Sequence, residues 1–142
     1  DRLLPLADVV TPNLFEAAQL ADMEPITNLD EAKKAAIKIH SLGAKIVVIK
    51  AVPYEDGLIA ELVFNGEAFG AFTHHHLDLT NHYTHGAGCT FSAAITAQVA
   101  SGLEPLAAIA DASAYVYNAI SNSEKLNDYT GALVADNQSQ KV

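Results

Sequence analysis

The run from Lys45 to Lys50, KIVVIK, constrains the fold more than any other stretch of the sequence. Four consecutive β-branched residues are typical of a strand that is buried on both faces. A helical pattern precedes this run, since Asn28 and Glu31 have the spacing of a capping box and Gly43 follows the last apolar position. Buried strands that alternate with helices indicate an α/β sandwich with a largely parallel sheet.

Apolar periodicity and turn residues predict the remaining elements. Asn65 and Gly66 are expected to form the two-residue turn of a hairpin, and Gly102 is expected to close the helix before the last one. The buried stripe of the last helix is predicted to contain Leu106, Ile109, Ala110, Ser113, Tyr117 and Ile120. The predicted strands are 7–11, 45–50, 58–64 and 67–73, and the predicted helices are 13–21, 28–43, 89–100 and 104–121.

Composition limits the class of protein. The chain has 142 residues, of which 50% are hydrophobic and 18% are charged, as expected of one globular domain or a piece of one. A net charge of -9 argues against a nucleic-acid partner, and no apolar run reaches the ~20 residues of a membrane span. One cysteine forms no internal disulfide, so an oxidising compartment is not implied. The chain opens DRLLP without a methionine, which suggests a start within a longer protein.

The stretch THGAGCTFSAAI, residues 84–95, carries the chain's only cysteine into the start of a predicted helix. Gly86, Ala87 and Gly88 allow a close approach to the backbone, and N–H groups at a helix start bind anions such as phosphate. Cys89 would lie in the first turn, where a thiolate could take a proton from a hydroxyl group or act as a nucleophile. The alternative is a tightly packed helix start with a small buried thiol. Spacing alone leaves both interpretations open, although the stretch is neither a Walker A loop nor a dinucleotide fingerprint.

Two further groups of residues have a structural and a functional interpretation. Asn13 and Glu16 have capping-box spacing, and the spacing favours a cap over a carboxylate that holds Mg²⁺ through water. Five histidines fall within twelve residues, but adjacent side chains point in different directions and the stretch lacks a zinc-like ligand spacing. We therefore expect solvated loop residues and not a metal site at His74, His75, His76, His82 and His85.

These motifs resemble those of the ribokinase-like kinases, in the branch that phosphorylates vitamin B6 and thiamin-pyrimidine precursors. THGAGCTFSAAI is similar to the anion-hole motif of that branch, and VVTPNLFEAAQL, residues 9–20, is similar to its T-P-N-x-x-E segment. The resemblance implies a ribokinase-like three-layer α/β/α sandwich. Because members of the family are about twice as long, it also implies that residues 1–142 are only the C-terminal half. Independently of the resemblance, the polar sequence from about residue 122 predicts a loosely held tail.

The resemblance also implies roles for individual residues. Cys89 stands where most relatives have an aspartate, the general base, and the backbone of Gly86, Ala87 and Gly88 with that of Cys89 corresponds to the anion hole. The motif of Asn13 and Glu16 helps to hold Mg²⁺ and the phosphates of ATP, with Glu16 reaching the metal through water. Lys50 matches a position that reaches a phosphate in some relatives. The family pair Gly-Gly that follows this strand is replaced here by residues 51–53, AVP, so the nucleotide loop departs from the pattern.

The activity implied is ATP- and Mg²⁺-dependent phosphorylation of the hydroxymethyl group of pyridoxal or pyridoxine, by a cytoplasmic homodimer that acts on a small molecule. The details Asn-Leu-Phe-Glu and Phe91-Ser92 are more similar to the B6 kinases. The alternatives are a kinase for hydroxymethylpyrimidine or its phosphate, a nucleotide-binding module that has lost the chemistry, and a cysteine-based transferase or hydrolase that needs no ATP.

Overall fold

The computed structural model describes residues 3–78, 83–127 and 130–135, and the chain divides into two compact units, Asp1–His76 and Leu77–Val142. The predicted order of strands and helices is confirmed, with two short strands added after the last helix. The first unit contains β1 (Val9–Val10), α1 (Leu14–Leu20), α2 (Leu29–Ser41), β2 (Ile46–Pro53), β3 (Leu58–Phe64) and β4 (Phe69–His75). The second unit contains α3 (Ala87–Ala100), α4 (Pro105–Ser121), β5 (Glu124–Lys125) and β6 (Gly131–Ala132). Single 3₁₀ turns occupy Leu4–Leu6 and Glu55–Gly57.

The sheet of the first unit has the strand order β1-β2-β3-β4. Only β1 and β2 are parallel, and β2, β3 and β4 are antiparallel neighbours. The prediction of a largely parallel sheet is therefore wrong. The reason is the short connection from β2 to β3, which spans only residues 54–57, because parallel neighbours require a crossover of a dozen or more residues.

The predicted buried strand is confirmed in β2. Val47 and Ile49 are fully buried in the cluster that α1 and α2 form on one side of the sheet, and Val48, on the opposite face, is also fully buried. The strand runs beyond Lys50 as far as Pro53. From α2 the core receives Ala32, Ala35, Ala36 and Ile39.

The start of α2 differs from a reciprocal capping box. The side chain of Asn28 accepts a hydrogen bond from the N–H of Glu31 at 3.0 Å, as predicted. The carboxylate of Glu31 accepts from the N–H of Thr27 at 2.7 Å, one residue before the N-cap. Asn28 and Glu31 thus cap the helix, but the carboxylate of Glu31 binds the N–H of Thr27 and not that of the N-cap residue.

The hairpin of β3 and β4 closes at the pair Phe64 and Phe69, so its loop has four residues and the predicted two-residue turn is wrong. The side-chain oxygen of Asn65 accepts from the N–H groups of Glu67 and Ala68 at 3.0 and 2.9 Å. This Asx-type loop replaces the two-residue turn, and the stacked rings of Phe64 and Phe69, 4.5 Å apart, lie at its base.

In the second unit, Gly102 ends α3 as predicted. Its φ is +94°, its N–H donates to the carbonyl of Val99, and the N–H of Leu103 donates to that of Gln98, which is a Schellman motif. No helix in the described part of the chain has the length and apolar character needed to cross a membrane.

The buried stripe of α4 is only partly as predicted. Ile109 and Ser113 are buried, but Leu106 is 45% exposed. Small apolar residues occur on most faces of this helix, so the sequence pattern alone does not determine which face is buried. The buried positions are Ala108, Ile109, Ala112, Ser113, Val116 and Ala119.

In the described part of the segment after α4, two short strands are present where the sequence predicted a loosely held tail. β5 and β6 pair as an antiparallel ladder, with Glu124 opposite Ala132 and Lys125 opposite Gly131. The N–H of Val134 then donates to the carbonyl of Ala119 at 3.2 Å, which returns the chain to α4.

Candidate active site

The glycine-rich stretch forms the N-terminus of α3, as its composition predicted. Gly86 is the N-cap with φ +88°, a left-handed conformation that favours glycine, and its carbonyl accepts from the N–H of Thr90 at 2.9 Å. Ala87, Gly88 and Cys89 are the first three helical residues. The thiol of Cys89 is exposed, so the interpretation of a small buried thiol is wrong.

The backbone donors of this helix start are not all available. The N–H of Ala87 donates to the carbonyl of Thr84 at 3.0 Å, which closes a turn just before the helix. For the N–H groups of Gly86, Gly88 and Cys89 there is no acceptor among the residues that the structure describes. The four-residue site expected from the sequence therefore offers three N–H groups to an anion, at the electropositive end of a fourteen-residue helix.

The loop that enters α3 is held by residues that the sequence motif did not single out. The N–H of Tyr83 donates to the hydroxyl oxygen of Ser123 at 2.8 Å, across forty residues of sequence. The ring of Tyr83 lies against Gly131 of β6. Neither Ser123 nor Gly131 belongs to a recognisable motif, so only the fold brings these two residues to the loop.

At the start of α1, the structure confirms the capping box of Asn13 and Glu16. The N–H of Glu16 donates to the Asn13 side chain, and the N–H of Asn13 donates to the Glu16 carboxylate, both at 2.8 Å. Glu16 is an exposed residue, and its Oε2 accepts this bond, which leaves Oε1 for a ligand. An exposed carboxylate oxygen fits a water-bridged Mg²⁺, and no group of three or more His, Cys, Asp or Glu residues within the described ranges forms a closed metal cage.

Lys50 lies beside this segment in β2. Its N–H donates to the carbonyl of Pro12 at 3.0 Å, immediately before Asn13, so the structure brings these predicted site residues together within the first unit. At Lys50 and Ala51 the ladder with β3 is interrupted, because two residues of β2 stand opposite the single residue Glu61.

A shallow groove of about 470 Å³ runs along α1 and the end of β1. Glu16 is its acidic member, and most of its other members are apolar. The groove is lined by Leu4, Val10, Thr11, Pro12, Phe15, Glu16, Gln19 and Leu20.

The described histidines do not belong to any group of three or more His, Cys, Asp or Glu residues that could hold a metal ion. His74 and His75 belong to β4 and not to the expected loop, and the ring of His74 lies 3.5 Å from the carboxylate of Glu61 on β3. His76 and His85 lie outside helices and strands, and His82 falls outside the described residues.

Comparison with known proteins gives consistent relatives. The pyridoxine kinase of Bacillus subtilis (strain 168) is 43% identical over 134 residues, which are 92% of this chain and 48% of that protein. The hydroxymethylpyrimidine/phosphomethylpyrimidine kinase of the same organism is 42% identical over 122 residues, 85% of this chain and 44% of that protein. The chain thus spans about half the length of the curated relatives it matches, and the match is to their C-terminal half.

Among solved structures, the pyridoxal kinase from Staphylococcus aureus in complex with AMP-PCP and pyridoxal matches with a TM-score of 0.85 at 42% identity, over 92% of this chain and 48% of that one. This likeness confirms the ribokinase-like α/β fold class. A family model described as phosphomethylpyrimidine kinase matches residues 1–134, a range that includes both candidate motifs. The chain therefore belongs to the phosphomethylpyrimidine kinase family.

Proposed function

We propose that the full-length protein containing this chain phosphorylates the hydroxymethyl group of pyridoxal or pyridoxine with ATP, in the cytoplasm. The observation that carries the proposal is the 43% identity to a pyridoxine kinase over 92% of this chain. The relative from Staphylococcus aureus, which was solved with AMP-PCP and pyridoxal, supports both the nucleotide and the vitamin as substrates.

In this proposal Cys89 is the general base. The thiolate takes the proton of the substrate hydroxyl while the alcohol oxygen attacks the γ-phosphorus, and the bond from that phosphorus to the bridging oxygen of ADP breaks. Its exposure at the third position of α3 gives the substrate hydroxyl access to Sγ. The hydroxyl proton thus ends on the sulfur of Cys89, and ADP leaves with the bridging oxygen.

The N–H groups of Gly86, Gly88 and Cys89 stabilise the charge on the transferred phosphoryl group. Because the turn from Ala87 to Thr84 is already formed, these donors are oriented before the reaction begins. Each such donor contributes on the order of 10²-fold or more to the rate in comparable oxyanion sites.

Asn13, Glu16 and Lys50 bind the nucleotide phosphates in the first unit. Mg²⁺, when bound with ATP, neutralises phosphate charge. Glu16 holds the hydrated metal through its free oxygen, and Asn13 fixes the orientation of that carboxylate through the capping hydrogen bonds. Lys50 supplies a point charge to a phosphate oxygen.

Hydroxymethylpyrimidine or its phosphate is the second candidate substrate. The observation that favours it is the 42% identity to the hydroxymethylpyrimidine/phosphomethylpyrimidine kinase of Bacillus subtilis, which is close to the identity with the pyridoxine kinase. Both candidates share the reaction and the roles of Cys89 and Glu16.

The test is ATP consumption by the full-length protein with Mg²⁺, offered pyridoxal, pyridoxine, hydroxymethylpyrimidine and hydroxymethylpyrimidine phosphate in parallel. Cys89→Ala should lower kcat by about 10²–10⁴-fold, as expected for loss of a positioned base, and Cys89→Asp should recover part of it. Thr96→Ala is the matched control, since Thr96 lies on the same helix and its hydroxyl donates to the carbonyl of Ser92 within that helix.

The substrate with the highest kcat/KM decides between the two vitamin families. If Cys89→Ala keeps wild-type turnover, Cys89 is not the general base and the reaction uses another one. If ATP binds but no substrate is phosphorylated, the protein is a nucleotide-binding module. A covalent adduct at Cys89 formed without ATP would instead favour a cysteine-based transferase.

A further inference from the structure

We infer that Tyr83, Ser123 and Gly131 form a clamp that positions the anion-binding N-terminus of α3, with Ser123 as its principal positioning residue. The inference rests on the proposed function for its catalytic consequence. The clamp itself is a property of the second unit and is testable without any activity.

The first contact of the clamp is a hydrogen bond. The hydroxyl oxygen of Ser123, just after α4, accepts from the N–H of Tyr83 at 2.8 Å, and the bond is partly buried. Loss of this acceptor would leave a partly buried N–H without a hydrogen-bond partner, so the bond favours one position of the loop. Tyr83 stands three residues before Gly86. It directly precedes the turn that the bond from the Ala87 N–H to the Thr84 carbonyl closes.

The second contact is steric. A Cβ built on Gly131 would overlap the ring of Tyr83, and it would also lie 2.5 Å from the carbonyl oxygen of Glu124 on the paired strand. Gly131 therefore serves as the flat surface on which the tyrosine ring lies. Its φ is not in the left-handed region, so glycine is required by the contact and not by the backbone.

The third part is the strand pair, which ties this surface to α4. β5 and β6 pair through Glu124 and Lys125, directly after Ser123, so both contacts of Tyr83 belong to one short hairpin. The hairpin is fixed to α4 by the bond from the Val134 N–H to the carbonyl of Ala119. The loop before the helix is thus held at Tyr83 by α4 and its hairpin, and at Thr84 by the bond from Ala87.

The clamp matters because the N–H groups of Gly86, Gly88 and Cys89 stabilise charge only when they point at the transferred group. A shift of about 1 Å in such donors costs on the order of 10²-fold in rate. Loss of the clamp should therefore lower kcat, whereas the KM for ATP should change little because Asn13, Glu16 and Lys50 are untouched.

The experiment compares Ser123→Ala, Ser123→Thr and the control Ser121→Ala in the full-length protein. Ser121 is a matched serine whose hydroxyl donates to the carbonyl of Tyr117 within α4. Hydrogen exchange of the Ala87 N–H reports the loop, and exchange of the Ala108 N–H, which donates to Glu104 at the start of α4, reports general loosening.

We expect Ser123→Ala to speed exchange at Ala87 at least fivefold relative to Ala108 and to lower kcat about tenfold, with the KM for ATP within twofold. Ser123→Thr keeps the acceptor and should restore both values, and Ser121→Ala should change neither. Gly131→Ala, compared with Gly70→Ala, where a Cβ meets open space, is the second test if Ser123→Ala does not fold.

Equal exchange ratios in Ser123→Ala and Ser121→Ala would overturn the clamp, even in an active kinase. A changed exchange ratio with unchanged kcat would also overturn its positioning role. If the wild-type protein shows no kinase activity, the proposed function fails, and the exchange ratio alone still decides whether the clamp exists.

Discussion

Ala51 holds a backbone conformation that L-residues rarely adopt. Its φ is +55°, in the left-handed region, at the bulge where Lys50 and Ala51 stand opposite Glu61. A methyl-bearing residue pays about 1–2 kcal/mol for that conformation, and glycine does not. The family resemblance places a glycine pair directly after Lys50, and the observed φ supplies a physical reason for glycine at position 51.

We predict that Ala51→Gly leaves the free energy of unfolding unchanged or raises it by up to about 1 kcal/mol, because relief of the left-handed conformation offsets the greater entropy of the unfolded chain. Ala71→Gly in β4, where φ is not in the left-handed region, should lower it by about 0.5–1 kcal/mol. Urea denaturation of the wild type, Ala51→Gly and Ala71→Gly measures both changes in the free energy of unfolding. A loss at Ala51 as large as that at Ala71 would contradict the strain argument.

At the scale of the element, the start of α1 combines a cap with a charge. Asn13→Ala should cost about 0.5–2 kcal/mol of stability, because it removes the acceptor of the Glu16 N–H. Glu16→Gln keeps an acceptor for the Asn13 N–H but removes the charge, so it should change stability by less than about 0.5 kcal/mol.

Glu16→Gln separates the two roles in the full-length protein. If the carboxylate holds Mg²⁺ through water, the Mg²⁺ concentration for half-maximal turnover should rise by about tenfold or more. Asn28→Ala is the matched control, since it removes the N-cap of α2 and lowers stability without touching the proposed nucleotide residues. An unchanged Mg²⁺ titration in Glu16→Gln would show that the box is only a cap.

The start of α2 makes the stability of the folded chain depend on pH. The N–H of Thr27, then its hydroxyl, donate to the carboxylate of Glu31 at 2.7 and 3.0 Å and hold the pKa of Glu31 below its ordinary value. Because the folded pKa is lowered, the stabilisation is complete above the unfolded pKa of about 4.3 and is lost as the pH falls through the folded pKa.

We therefore expect the difference in urea midpoint between the wild type and Glu31→Gln to be constant above about pH 6 and to shrink as the pH falls below about 4.3. Thr27→Ala keeps the N–H and loses the hydroxyl, so it should reduce this pH dependence without abolishing it. A difference that stays constant down to pH 3 would contradict the assigned cause.

Elements with a strong local signal could be predicted from the sequence. The strand from Lys45 and the Gly-rich helix start were predicted because β-branched runs and glycine at a cap act within a few residues. The rotation of α4, the direction of β2 relative to β3 and the loop at Asn65 were not, because each depends on packing or connection length. The Tyr83 contacts depend on residues forty or more positions away, beyond the reach of any local pattern.

At the scale of the whole molecule, the first unit exposes apolar side chains beside an edge strand. The strand β1 pairs only with β2 among the described residues, and the groove beside it contains Phe15, which is 73% exposed, and Leu20, which is 39% exposed. An edge strand beside exposed apolar side chains favours association with another polypeptide. This surface belongs to the first unit, and Cys89 belongs to the second.

We predict that the 142-residue chain associates with itself through this surface. Phe15→Glu should lower the association constant by at least about tenfold, because burial of an unpaired carboxylate costs more than the 1.4 kcal/mol that a factor of ten represents. Leu126→Glu is the matched control, since Leu126 is 66% exposed but belongs to the second unit. Sedimentation velocity over a concentration series measures both variants. Equal association constants for the two variants would mean that the chains contact each other through a different surface. A lower association constant in Phe15→Glu alone would identify the surface beside β1 as the site of self-association.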